Sequence, residues 1–267
     1  MRGLSMTSSG VQFDVDIRGV ATLSLDNAER HNSLDDDIFR QMLEAFDYCE
    51  REALRVLCLR ANGKHFCAGA NLMAFAPIGS GLADSPSSPP LMQALHRLNT
   101  LRTPTVAMVH GGCIGSGAAL ASCCDIVVAE ETAFFSIPEV RLGILPAAVI
   151  PYFAAAIGQR HLRRYLLSGE RFSSTEAWHI GLVHQVCQAG RLAEVADAIV
   201  DALLRGGPSA VAGSKAAVLE AAPLPLSEEQ QIALHDLVVA QASTPEVLEG
   251  VAAFVEKRSP TWHRTVK

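Results

Sequence analysis

Two hydrophobic rhythms divide the chain. From Val11 to Leu25 apolar and polar residues alternate with a period of two, in Val11-Gln12-Phe13-Asp14-Val15-Asp16-Ile17 and, after Gly19, in Val20-Ala21-Thr22-Leu23-Ser24-Leu25. That period turns one side of an extended strand to a core and the other to water, so the segment predicts a β-hairpin. Beyond the polar link Asp26 to Asn32 the spacing becomes helical. Ile38, Met42, Leu43 and Phe46 recur at helical intervals up to Cys49, and Ser33 and Asp35 offer side-chain N-caps.

Short unbroken apolar runs follow at Val56-Leu57-Cys58-Leu59, Val106-Ala107-Met108-Val109, Ile126-Val127-Val128-Ala129 and Ala133-Phe134-Phe135. Runs of this length without alternation predict strands, the first of them covered on both faces. Ala76 to Pro90, rich in Gly, Ser and Pro, predicts a loop, and Leu91 to Leu101 a helix. A glycine cluster from Gly111 to Gly117 separates a strand from helical Ala118 to Cys123, and from about Val149 the pattern is mainly helical. The order is an α/β core, placed at residues 1–200, followed by a helical region at 201–267.

Composition narrows the field. Hydrophobic residues are 49% and charged residues 19% of 267, and no apolar run approaches the roughly 20 residues that span a membrane. The expectation is a cytoplasmic protein with no membrane partner. Met1 to Gly10 lacks the apolar stretch of a signal peptide, and Met1 to Met6 is set aside as carrying no function. The 7 cysteines lie in apolar segments without a CxxC pair, so buried free thiols are expected, not a disulfide framework or a zinc site. A net charge of −6 with dispersed Lys and Arg argues against nucleic acid, and the 9 histidines show no metal-ligand spacing.

Candidate chemistry gathers at three places. Gly111-Gly112-Cys113-Ile114-Gly115-Ser116-Gly117 follows a strand but lacks G-x-G-x-x-G spacing, which argues against a dinucleotide site. Ile114 stands where a G-x-S-x-G nucleophile turn needs glycine, so Ser116 is not read as a nucleophile. What remains is a turn whose backbone N–H groups approach a ligand closely at a helix start, suited to an oxyanion. A packing turn is the alternative. His65-Phe66-Cys67-Ala68-Gly69-Ala70-Asn71-Leu72 is a second small-residue turn after a strand, and two such turns could each give one N–H to a single oxygen. Ser136-Ile137-Pro138-Glu139-Val140-Arg141-Leu142 sets a carboxylate among apolar residues, where burial would raise its pKa; Arg141 would oppose that, and a plain surface glutamate is the competing reading.

Taken together, His65 to Leu72, His110 to Val128, Phe134 to Pro146 and Gly181-Leu182-Val183-His184-Gln185-Val186 resemble the ordered signatures of the enoyl-CoA hydratase/isomerase, or crotonase, superfamily. The likeness covers nearly the whole chain. It implies a spiral of ββα units with a C-terminal helical region that packs over the site or onto a neighbour, in a homotrimer or hexamer. It also implies an acyl-CoA substrate, with coenzyme A entering as part of that substrate and no prosthetic group. By resemblance Ala68 and Ser116 give the oxyanion amides and Glu139 is the acid/base. Arg30 and Lys64 are candidates for the coenzyme A phosphates, with Ala68, Gly69, Ala70 and Asn71 beside them.

Departures bear on the reaction. Ala119 stands where two-glutamate hydratases carry their other carboxylate, Ser116 replaces a usual glycine, and Asn71 a frequent aspartate. A single glutamate resembles Δ3,Δ2-enoyl-CoA isomerases and also hydratases of branched, glutaconyl-type thioesters. Leu142 to Tyr152 and Arg163-Arg164-Tyr165-Leu166-Leu167 look closer to the latter, so hydration is the expected activity. Isomerisation is the first alternative and non-catalytic thioester binding the second. His110 is read as a structural hydrogen-bonding residue.

Overall fold

The computed structural model describes residues 4–8, 10–71, 90–142, 146–221 and 244–262. Leu4–Ser8, set aside on sequence grounds, forms β1 and pairs antiparallel with β2 (Gly10–Val15). The predicted hairpin joins β2 to β3 (Val20–Asp26), with Phe13 opposite Leu23. Its turn is closed by the Asp16 carboxylate, which accepts the N–H groups of Arg18 and Val20. In α1 (Asp36–Arg51) the Asp35 side chain accepts the Ile38 N–H, and Ile38, Phe39, Met42, Ala45, Phe46 and Cys49 face inward. Full burial of Phe39 and Phe46 stabilises the fold by about 1.5–3 kcal/mol each.

From here the chain repeats one unit: a strand in a large sheet, a short extended piece in a second layer, then a helix. β4 (Val56–Ala61) leads through the 62–71 turn toward α2 (Pro90–Thr100). β5 (Thr105–Val109), β6 (Gly112–Ile114) and α3 (Ser116–Cys123) form the next unit, and β7 (Ile126–Glu130), β8 (Phe134–Ser136) and α4 (Ile150–Ser168) the one after. β9 (Phe172–Ser173), α5 (Ser174–His179), β10 (Gln185–Cys187) and α6 (Leu192–Arg205) close the spiral, and α7 (Pro208–Ala221) and α8 (Pro245–Val255) follow. This is the ββα spiral that the resemblance implied.

The large sheet has the order β1-β2-β3-β4-β5-β7-β10, parallel from β3 onward, and the second is β6-β8-β9. Bridges Leu34↔Ala70 and Cys67↔Cys113 extend the second layer back to the earlier turns. The parallel strands are covered on both faces, as unbroken apolar runs require. Leu57, Leu59, Ala107 and Val127 point into the main core, whereas Val56, Cys58, Val106 and Val128 meet Val200 and Leu204 of α6.

The C-terminal segment is fastened at the start of these strands. Arg55, just before β4, donates to Leu204 O, Gly206 O and Trp262 O, and Glu246 accepts the N–H groups of Ser209 and Ala210 where α7 begins. The turns at 27–34, 62–71 and 110–115 lie beyond the opposite, C-terminal strand ends. The division at residue 200 falls inside α6, and the Ala76 to Pro90 loop lies outside the described residues except for Pro90, which opens α2.

Besides β1, three short strands were not expected: β6 within the glycine cluster, and β9 and β10 within the part read as mainly helical. At two or three residues they carry no period, and their pairing with distant segments makes them strands. No described helix is long and apolar enough to cross a membrane.

Candidate active site

Three turns meet at the C-terminal ends of β3, β4 and β5, and buried hydrogen bonds fix their relation. Asn32, fully buried with φ of 56°, donates through Nδ2 to Asn62 O and His65 O and accepts the Asn27 N–H. One side chain thus ties the first turn to itself and to the second. Leu34 N–H donates to Gly69 O and Asn71 N–H to Leu34 O, while Cys67 N–H donates to Gly112 O and Ile114 N–H to Cys67 O. The 62–71 turn is therefore stitched on both sides. Cys67 adds its thiol, which donates to Asn32 O at 3.0 Å and accepts the Gly69 N–H at 3.3 Å.

This stitching decides which amides are free. The Ala68 N–H, the first expected oxyanion donor, donates to His31 O at 3.0 Å and so is already engaged. Two residues on, Ala70 pairs with Leu34 through the groups of its neighbours, so its own N–H points away from Leu34 and has no acceptor among the described residues. Ser116 opens α3, where the first N–H groups lack an intrahelical acceptor and the helix dipole is positive.

The two turns touch. A methyl placed on Gly69 would lie 3.1 Å from Ile114 O and 3.7 Å from Gly115 Cα. Gly115 itself has φ of 54° and ψ of −121°, a conformation for glycine alone. Glu139, in a short 3-10 turn over Glu139–Leu142, reaches this junction: its Oε1 is 2.6 Å from where a Gly115 β-carbon would stand. Its Oε2 is buried without a hydrogen-bond partner among the described residues. Burial raises the Glu139 pKa above the ordinary carboxylate value, with its own backbone N–H acting weakly the other way. Arg141 does not compensate, because its guanidinium lies against Gly169 and donates to Ser168 O.

The remaining candidates line up around this centre. Arg30 and Lys64 are exposed on the two turns. Asn71 is half-buried beside Ala70, and Ala119 is fully buried one turn into α3, presenting a methyl where a second carboxylate was weighed. His110 Nε2 donates to Gly63 O at 2.9 Å, a structural role as read from the sequence. Among the described residues no group of three His, Cys, Asp or Glu side chains could hold a metal ion. Sequence reasoning gave Gly69 and Ala70 only to the coenzyme A contacts; it missed the Ala70 amide as an oxyanion donor, the part played by Asn32 and the conformation required of Gly115. The positive φ of His31 and Asn32 leaves no periodic signal, and the choice between Ala68 and Ala70 depends on partners elsewhere.

A two-layer ββα spiral with two abutting N–H turns and a desolvated carboxylate is the crotonase architecture. The chain belongs to the enoyl-CoA hydratase/isomerase family, whose sequence model matches residues 16–265. It is similar to a mevalonyl-coenzyme A hydratase from Aspergillus fumigatus, 31% identical over 247 residues and covering 91% of each chain. It is also similar to the 2,3-dehydroadipyl-CoA hydratase of Escherichia coli, 30% identical over 252 residues, with 90% of this chain and 94% of that one covered. The crystal structure of an enoyl-CoA hydratase from Shewanella pealeana superposes with a TM-score of 0.87 at 31% identity, covering 95% of this chain and 96% of that one.

Proposed function

We propose that this chain adds water across the α,β double bond of an enoyl-CoA thioester, and removes it in reverse. The amides of Ala70 and Ser116 receive the thioester oxygen, taking the place given to Ala68 and Ser116 from resemblance. Glu139 takes a proton from water as the water oxygen bonds to Cβ, the double-bond electrons move onto the thioester oxygen, and Glu139 returns the proton to Cα. One carboxylate then suffices for a balanced addition, which accommodates Ala119. A pKa raised by burial above the ordinary carboxylate value suits a group that both accepts and gives a proton. Each N–H aimed at the developing oxyanion is worth about 3–4 kcal/mol of transition-state stabilisation.

The observation that carries this reading is the buried, unpartnered Oε2 of Glu139 beside the junction of the two turns. A desolvated carboxyl group costs stability, and chemistry at the turns explains its retention. Arg30 and Lys64 would meet the coenzyme A phosphates, with Gly69, Ala70 and Asn71 along the thioester arm. The segment from Leu142 to Tyr152 favours a branched or glutaconyl-type acyl group. The test is loss of conjugated-enoyl absorbance on mixing with straight and branched 2-enoyl-CoA substrates; no turnover of any would sink the reading.

Ala119 supports a second reading, Δ3,Δ2 isomerisation, in which Glu139 carries one proton between two substrate carbons. Conversion of a 3-enoyl-CoA to its conjugated isomer without water uptake would favour it. A trimeric or hexameric assembly in the cytoplasm completes the proposal, and sedimentation of the purified chain tests the assembly.

A further inference from the structure

Gly112 opens β6, the strand that delivers the chain to Gly115 and Ser116, and its N–H is accepted by a side chain: Nδ1 of His65, at 2.9 Å. The imidazole belongs to the other turn, where Asn32 Nδ2 holds the His65 carbonyl at 2.8 Å. A ring nitrogen that accepts an N–H carries no proton, so His65 is the neutral tautomer protonated at Nε2. The ring packs edge-on to His31 at 5.2 Å and to Phe134 at 6.3 Å, and Arg171 lies 4.6 Å over the Phe134 ring. A side chain on Gly112 would press on both Phe134 and His65, so the close approach needs glycine there.

We propose that His65 is a positioning residue: its neutral imidazole holds the Gly112 N–H and so adds a titratable tie to the Cys67–Gly112 and Ile114–Cys67 backbone bonds that set the register between the turn carrying Ala70 and the turn carrying Ser116. This rests on the enoyl-CoA reading for its catalytic consequence, but the tie itself is a property of the fold. Protonation converts Nδ1 from acceptor to donor and sets N–H against N–H, so the tie is lost and the two amides are left to the backbone bonds through Cys67 for their common aim.

The surroundings favour the neutral ring that the Gly112 contact requires. Burial first, then repulsion from the basic side chains of His31, Lys64, His110 and Arg171, push the His65 pKa below the ordinary histidine value, and among the described residues no carboxylate is a cause of the shift. Because the folded-state pKa is depressed, the tie's contribution to stability is present above the unfolded value. It is lost as pH falls through that value toward the folded one. The turnover rate responds only further down, where the imidazole of the folded enzyme itself takes up a proton.

The experiment pairs selective ¹⁵N-glycine and ¹⁵N-histidine labelling with steady-state kinetics on wild type, His65→Ala and His65→Asn. The Asn Oδ1 can accept the same N–H but does not titrate. The expected result is a wild-type Gly112 amide resonance that moves with the His65 imidazole titration, and no such movement in His65→Asn. His65→Ala is expected to lose roughly tenfold in kcat with a smaller change in KM. His65→Asn is expected to recover most of that rate and to lose the step of the acid limb that follows the His65 imidazole, keeping the step set by protonation of Glu139. A Gly112 amide indifferent to the imidazole, or a His65→Ala kcat profile superimposable on wild type, would overturn the tie. A wild type that turns over no enoyl-CoA while Gly112 still follows His65 would sink the functional reading and leave the tie standing.

Discussion

Glu139 Oε1 stands 2.6 Å from the point at which Gly115 would carry a β-carbon, so the carboxylate occupies the space that glycine vacates at the head of α3. Gly115 brings two properties to that place: a positive φ that other residues adopt at a cost, and room for the Glu139 carboxyl group beside the Ser116 amide.

Gly115→Ala is therefore expected to act twice. Backbone strain of about 1–3 kcal/mol lowers the unfolding midpoint, and displacement of the carboxyl group, with a misplaced Ser116 N–H, lowers kcat by roughly 10²-fold or more. A thermal melt and a single kinetic series measure both, and a variant with wild-type kcat would contradict the geometry.

Removing the charge at position 139 separates activity from stability. Glu139→Gln should lower kcat by about 10² to 10⁴ while making the protein more stable at neutral pH. The sign follows from the raised pKa: the fold disfavours the ionised carboxyl, so wild-type stability falls as pH rises through the ordinary value toward the folded one. Urea titrations at about pH 4 and pH 8 should show the gain of the variant growing with pH. A gain that shrinks with pH would place the carboxylate in a compensated environment.

Asn32 is expected to be among the most sensitive positions outside the reacting centre. Asn32→Ala removes two donated hydrogen bonds and one accepted bond and leaves buried backbone groups unpaired. The cost is about 3 kcal/mol in chemical unfolding, with kcat falling as the turns loosen. Asn32→Asp should restore only the contact to the Asn27 N–H, because a carboxylate cannot donate to Asn62 O and His65 O.

Lys64 tests the route for the phosphates. It is exposed, so Lys64→Ala should raise KM for an enoyl-CoA by roughly two- to fivefold with kcat unchanged. That difference should fade at high salt. A KM that does not respond, alone or combined with Arg30→Ala, would place the phosphates elsewhere.

Local pattern determined the larger elements of this protein. The period-two hairpin, the amphipathic α1 and the apolar strands β4, β5 and β7 are legible because each satisfies its own hydrophobic period and its backbone bonds follow. The setting of Glu139 was legible only as one of two readings, a desolvated carboxylate or a surface glutamate, and its burial is decided by the fold. Tertiary structure alone decided the rest. β6, β9 and β10 are too short to carry a rhythm and exist through partners far along the chain. Arg141 could have neutralised Glu139, but it turns to Ser168 O instead. The amide of Ala68 is taken by His31 O and that of Ala70 is left without an acceptor among the described residues, a distinction set by which carbonyls the 27–34 turn presents. Side-chain chemistry is written in the residues, but a backbone N–H is the same at every position except proline. Its availability is fixed only when the fold allots its acceptors.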